Sequence, residues 1–255
     1  MPSPPTIFAS ILRPSPTLDH SVRLLSTVSG TDKVLMTVIY ASKLVAFFVN
    51  RNPALSRNPQ ALEVLRSLEN LCTPLSDVRY VLRYYGLLPM IQYSIYLENN
   101  PPSNRRLLHL GRLQNICMFF YFPLEHAAWL GEKGVIKMDP STAAQCSLLS
   151  VRFWALYVIL YFFHLAEEWR VLRARQRQLA ARKSDQGPEE VEKARVKMRG
   201  DVTAWQMNFA INACFLPLTI HWSRPELSLL TDVQVGALGT GAAVLQLLKA
   251  WGATA

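Results

Sequence analysis

The run from Cys146 to Ala166, CSLLSVRFWALYVILYFFHLA, limits what this chain can be more than any other stretch, and Arg152 is its one formally charged residue. At helical rise its twenty-one residues cover roughly 30 Å, about the hydrocarbon thickness of a bilayer. Two acidic residues and Trp169 follow, then a comb of cations: Arg170, Arg173, Arg175, Arg177, Arg182 and Lys183. An apolar span, a terminal tryptophan and an arginine-rich flank describe a helix leaving a membrane toward anionic lipid. The soluble alternative is a buried helix of a large α protein that emerges as a solvated one. Arg152, in the outer third of the run, must turn its guanidinium back to the interface if the run spans.

Whole-chain numbers fit a protein partly in and partly on a membrane. Half of the 255 residues are hydrophobic and the mean hydropathy is +0.12, high for a soluble protein and low for a multi-span transporter. The net charge is +9, and its basic clusters adjoin apolar segments, which favours lipid over nucleic acid. No nucleic-acid-binding module accompanies the charge. Cys72, Cys117, Cys146 and Cys214 form no CxxC pair, so neither a zinc site nor a disulfide framework is expected, and a reducing setting is. Residues 1–16 form a Pro/Ser-rich lead without the n- and h-regions of a secretory signal, and the last residues are not a Ser-Lys-Leu address. Any organelle targeting is therefore expected to be internal.

Taken in order, the pattern is helical throughout, and no alternation is long enough for a sheet. Three regions are expected: the lead at 1–16, an amphipathic membrane-surface region at 17–113, and a membrane-embedded region at 114–255 with a basic loop at 167–204. Helix signals start at Thr17 and Gly30 breaks them; Thr31 then caps a helix running through Phe48. Ala61–Leu71 is amphipathic, with Ala61, Val64, Leu65, Leu68 and Leu71 on one face. Pro74 is expected to end it, and Ser76-Asp77 to start another helix at Val78. There Val78, Leu82 and Tyr85 make an apolar face with Arg79 and Arg83 beside it. Cations bordering an apolar face suit a helix lying at headgroup depth, so these five residues are the candidate membrane-binding set. A bundle helix with two solvated arginines fits the same periodicity.

Ile116–Leu130 is apolar but broken by Pro123, Glu125 and His126. Trp205–Trp222 is a second such stretch, and Leu229–Trp251 is a final span candidate. Gly236, Gly239 and Gly241 in the last would let another helix approach closely, within the chain or in a second copy. Two spans place the basic loop opposite the termini; four place it on their side. Five of the six tryptophans lie at ends of apolar stretches, as an interfacial belt would have them. Glu125-His126, and His164 with Glu167 at i, i+3 spacing, invite an acid/base or metal reading, but neither pair has companions. No nucleophile, metal or cofactor constellation is found, and an enzyme is not expected. A membrane-bound lipid-modifying enzyme using Glu125 and His126, or a transporter or channel subunit, is the alternative.

One resemblance runs through these features. Asp32-Lys33 followed by Tyr40, Ser42 and Lys43 is similar to the amino-terminal signature of the peroxisomal biogenesis factor 11 family. The likeness continues through Arg79, Arg83, Gly86, Gly111-Arg112, Pro123-Leu124-Glu125-His126, Trp129-Leu130 and Gly134-Val135 to the glycine-containing last span. It resembles the divergent fungal branch more than the founding members, and Thr37, Val38 and Ile39 stand where the family usually carries more basic residues. The resemblance implies an integral protein of the peroxisomal membrane that elongates it before division through amphipathic helices. It also implies self-association, recruitment of fission machinery, and delivery by a membrane-protein import receptor.

Overall fold

The computed structural model describes residues 15–181 and 188–254. The secondary structure is 87% helix with no strand among the described residues, which is the all-α class expected. The helices are α1 Pro16–Leu25, α2 Val28–Arg51, α3 Pro59–Tyr84, α4 Leu87–Asn99, α5 Arg105–Glu132, α6 Pro140–Ala181, α7 Pro188–Ser223 and α8 Asp232–Ala253, with a 3₁₀ turn at Pro225–Leu227. Most of the 1–16 lead, and Arg182 to Gly187 of the basic loop, lie outside the described residues.

Capping chemistry sets most boundaries. The side chains of Ser15, Thr27, Asn58, Asn104 and Thr231 each accept from a backbone N–H in the first turn of α1, α2, α3, α5 and α8. Thr231 completes a reciprocal box with Gln234. The break expected at Gly30 falls instead at Ser26–Thr27, and Thr27 takes the capping role assigned to Thr31. Gly30 sits in the first turn of α2 because α1 doubles back on it: a Cβ there would stand 2.2 Å from the Leu24 carbonyl oxygen.

Three prolines lie inside helices, the first two at expected breaks: Pro74 in α3, Pro123 in α5 and Pro217 in α7. Each removes one backbone donor at a cost of about 3 kcal/mol. The surrounding tertiary contacts outweigh it. Ala61–Leu71 and Val78–Leu88 are thus largely one helix, and the boundary expected after residue 113 falls within α5.

Six helices pack in a closed circuit. α2 lies on α8, α8 on α7, α7 on α6, α6 on α5, α5 on α3, and α3 returns to α2. α4 packs on α5, and α1 bridges the start of α2 to the end of α8, where the His20 ring lies 3.6 Å from that of Trp251. One buried hydrophobic cluster joins Met36, Ala242 and Ala243, flanked by Tyr40, Cys214 and Phe215.

The outside is apolar along the two span candidates. α6 and α8 are long and apolar enough to cross a bilayer, yet only 17% and 28% of their most apolar windows are buried. Leu149, Leu156, Ile159 and Phe163 are exposed along α6. A core helix of a soluble bundle would bury such residues, so the exposed face of α6 fits membrane association. The end-placed tryptophans join neighbouring helices there: the Trp169 ring lies tilted against that of Trp205 at 4.7 Å, and Trp205 donates to the Leu165 carbonyl at 2.8 Å.

Candidate functional site

Residues far apart in sequence meet where α3 crosses α2 and α5. Asp32, in the second turn of α2, is 5% exposed and accepts from Lys33 at 2.7 Å and Arg79 at 2.8 Å. One turn later on α3, Arg83 makes a two-pronged contact with Glu125 of α5, both at 2.9 Å. The Tyr121 hydroxyl donates to the same carboxylate at 2.7 Å, and the Arg83 guanidinium lies over the Tyr80 ring at 4.5 Å. Asp77 accepts from the Trp129 indole at 3.1 Å and from Lys133 at 2.6 Å. Helical spacing puts Asp77, Tyr80 and Arg83 toward α5 and Arg79 toward α2, so one helix is fastened on two sides.

Electrostatics supports the fastening. Burial by itself would raise the Asp32 carboxyl, but the charges of Lys33 and Arg79 outweigh it and hold the group below its usual range. The Lys133 and Trp129 hydrogen bonds likewise lower Asp77.

These positions revise the expected membrane-binding set. Arg79 and Arg83 have side chains 13% and 21% exposed and are committed to carboxylates inside the circuit, not held free at headgroup depth. The physical reason is that Asp32 and Glu125 face them at hydrogen-bonding distance, which spacing along α3 alone cannot reveal. Val78 and Tyr85 are exposed, and Leu82 is half-buried. Val64, Leu71 and Val78 recur at seven residues on one side of α3 and Tyr85, at its C-cap, extends the stripe, each exposed by 44–59%. Leu88, Ile91 and Ile95 carry exposed apolar surface onward into α4.

Gly236, Gly239 and Gly241 of α8 face neighbours within the chain. A Cβ on Gly239 would stand 2.2 Å from the Tyr40 ring, and one on Gly236 would lie 3.0 Å from the Lys43 Cβ. Gly241 faces the Cys214 sulfur at 3.4 Å. Tyr40 and Lys43 thus meet Gly239 and Gly236 of α8, while Asp32, Lys33, Glu125, His126 and Trp129 gather around α3.

Little here favours catalysis at Glu125 and His126. Both Glu125 oxygens are engaged, and the two His126 ring nitrogens face the carbonyls of Phe122 at 2.6 Å and Tyr80 at 3.0 Å. The cavity beside Glu125 is about 40 Å³, room for a water but not a substrate. Glu167 pairs with Asn104 and Arg170 rather than with His164, whose ring stacks on Tyr161. Among the described residues, no three His, Cys, Asp or Glu side chains assemble as metal ligands.

The family model for peroxisomal biogenesis factor 11 matches residues 18–251. The chain belongs to the peroxisomal biogenesis factor 11 family. Membership places it among peroxisome biogenesis proteins of the peroxisomal membrane, not among known enzymes. It is 27% identical to human peroxisomal membrane protein 11C over 203 residues, 78% of each chain. It is 26% identical to an uncharacterised protein of Schizosaccharomyces pombe over 231 residues, 90% of this chain and 93% of that one. No solved structure matches it. In this family member the two halves of the resemblance, around Asp32 and around Glu125, meet through the arginines of α3.

Proposed function

We propose that this protein is integral to the peroxisomal membrane and elongates it ahead of division, with α3 as a wedge held on a membrane-anchored bundle. The observation that carries this is the exposed stripe Val64, Leu71, Val78 and Tyr85 beside Arg79 and Arg83, which are already paired internally. The helix can enter one leaflet without leaving the bundle. A wedge at headgroup depth expands that leaflet and favours curvature. Burying each apolar side chain there contributes up to about 1.5–3 kcal/mol, less at an interface. α6 and α8 hold the wedge at the membrane. Self-association, recruitment of fission machinery and delivery by a membrane-protein import receptor belong to the same reading and rest on family likeness.

The test replaces the stripe while leaving the ion pairs intact. Leu71→Ser with Val78→Ser should leave cells with fewer, larger, less elongated peroxisomes. The variant should still resist alkaline carbonate extraction. Normal elongation would remove α3 from the mechanism, and complete release of the wild-type protein by carbonate would remove the integral assignment.

A further inference from the structure

Arg152 and the turn after α7 form a groove that the remodelling function does not use. Arg152 donates from Nε to the Ser223 carbonyl oxygen at 3.4 Å, where the amino-terminal part of the α6 span meets the carboxyl end of α7. Arg224 follows, with Glu226 4.0 Å from its guanidinium. Together these residues line an open groove of about 530 Å³, whose floor includes Leu156 and Ile159. The Ser223 hydroxyl oxygen is buried without a partner. Leu149, Arg152, Leu156, Ile159 and Phe163 recur at three- and four-residue steps, so the groove opens onto the uncovered apolar face of α6.

We infer that this groove binds the headgroup of one anionic phospholipid, with the phosphodiester between Arg152 and Arg224 and an acyl chain along Leu156, Ile159 and Phe163. Two guanidiniums and one carboxylate leave a single net positive charge, which a monoanionic headgroup neutralises. The Arg224–Glu226 pair is more than half exposed, so a phosphate competes with it readily. Charge-assisted hydrogen bonds to the phosphate would relieve Arg152, a cation otherwise facing the membrane, and the Ser223 hydroxyl would gain an acceptor. The apolar floor selects a lipid over a soluble phosphate ester. The site rests on the reading that Cys146–Ala166 crosses the bilayer.

The experiment is native mass spectrometry of the full chain in detergent, titrated with dioleoylphosphatidylglycerol or dioleoylphosphatidylcholine. Wild type should retain one phosphatidylglycerol in preference to phosphatidylcholine, and millimolar glycerol phosphate should not displace it. Arg152→Gln with Arg224→Gln should weaken that retention on the order of thirtyfold. Glu226→Gln should tighten it about fivefold, a gain that misfolding cannot imitate. Equal retention of the two lipids by wild type, an unchanged affinity in Glu226→Gln, or displacement by glycerol phosphate would overturn the site. Carbonate release of the wild-type protein would instead refute the spanning assignment. A carbonate-resistant protein without headgroup preference refutes this site alone.

Discussion

The seam between α2 and α8 and the seam between α3 and α5 close the same helical circuit by opposite means. At the first, Gly236 and Gly239 let backbones approach until Tyr40, Lys43 and Leu44 fill the space, and Met36, Ala242 and Ala243 are buried beside them. At the second, Arg83–Glu125 and the Asp77–Trp129–Lys133 cluster do most of the joining. Shape specifies the first and charge the second. A seam made by shape fails when volume is added, whereas one made by charge fails when a partner is lost or neutralised. The charged seam holds the helix with the exposed apolar stripe, so the orientation of the proposed wedge depends on ion pairs.

The largest effect should come from Arg83→Glu. It sets two carboxylates against each other beside Tyr121 and should cost about 3–5 kcal/mol. Thermal unfolding in detergent would show this as a lowered midpoint, with amide exchange in α3 accelerated first. Glu125→Arg added to that variant should restore much of the loss. No recovery would mean that the two residues do not act as a pair. Gly239→Leu comes next. Even a Cβ meets the Tyr40 ring, so α2 must shift, at a cost of about 1–3 kcal/mol. Its amide exchange should rise in α2 and α8 and leave α3 protected. Equal loosening of both seams would erase the distinction between them.

Acid should produce the smallest effect and act on the charged side. Asp32 and Asp77 titrate below their usual range in the folded protein, so the unfolded chain binds their protons first as pH falls. Their stabilisation is full above the unfolded value, about 3.9, and is lost as pH drops through the lower folded values. Exchange protection at residues 77–84 should therefore fall as pH drops below about 3.9 in detergent while the Gly236–Ala243 segment keeps its protection. Parallel losses would show that acid acts globally.

The helical class, the two strongest span candidates and the small-residue face of α8 were legible because each is written in consecutive residues. The charged cluster was legible only as names. Arg79 and Arg83 stood out beside an apolar face, Glu125 as a break in an apolar run and Asp32 through family resemblance, but their pairing needs three helices brought together, and no local spacing encodes that. Pro74 misdirected the reading more concretely. Ending a helix there separates Leu71 from Val78 and hides the seven-residue stripe, because a proline's local cost says nothing about the tertiary contacts that outweigh it. Asp77 was read as a cap and is instead a bridge to Trp129 and Lys133. Tyr121 was passed over inside an apolar run, although its spacing of four from Glu125 places both on one helix face.

In the proposed mechanism α3 lies in the membrane along its Val64–Leu71–Val78–Tyr85 side while it remains fastened to the bundle. Environment-sensitive fluorescence tests this most directly. With Cys72, Cys117, Cys146 and Cys214 replaced, a single label is placed at Leu71→Cys or, on the opposite side of the helix, at Arg66→Cys in full-length protein reconstituted into anionic vesicles. The label at position 71 should shift to the blue and be quenched by lipid-borne quenchers, while the label at 66 should keep the emission of an aqueous site. Indistinguishable, water-like emission from both positions would contradict the account.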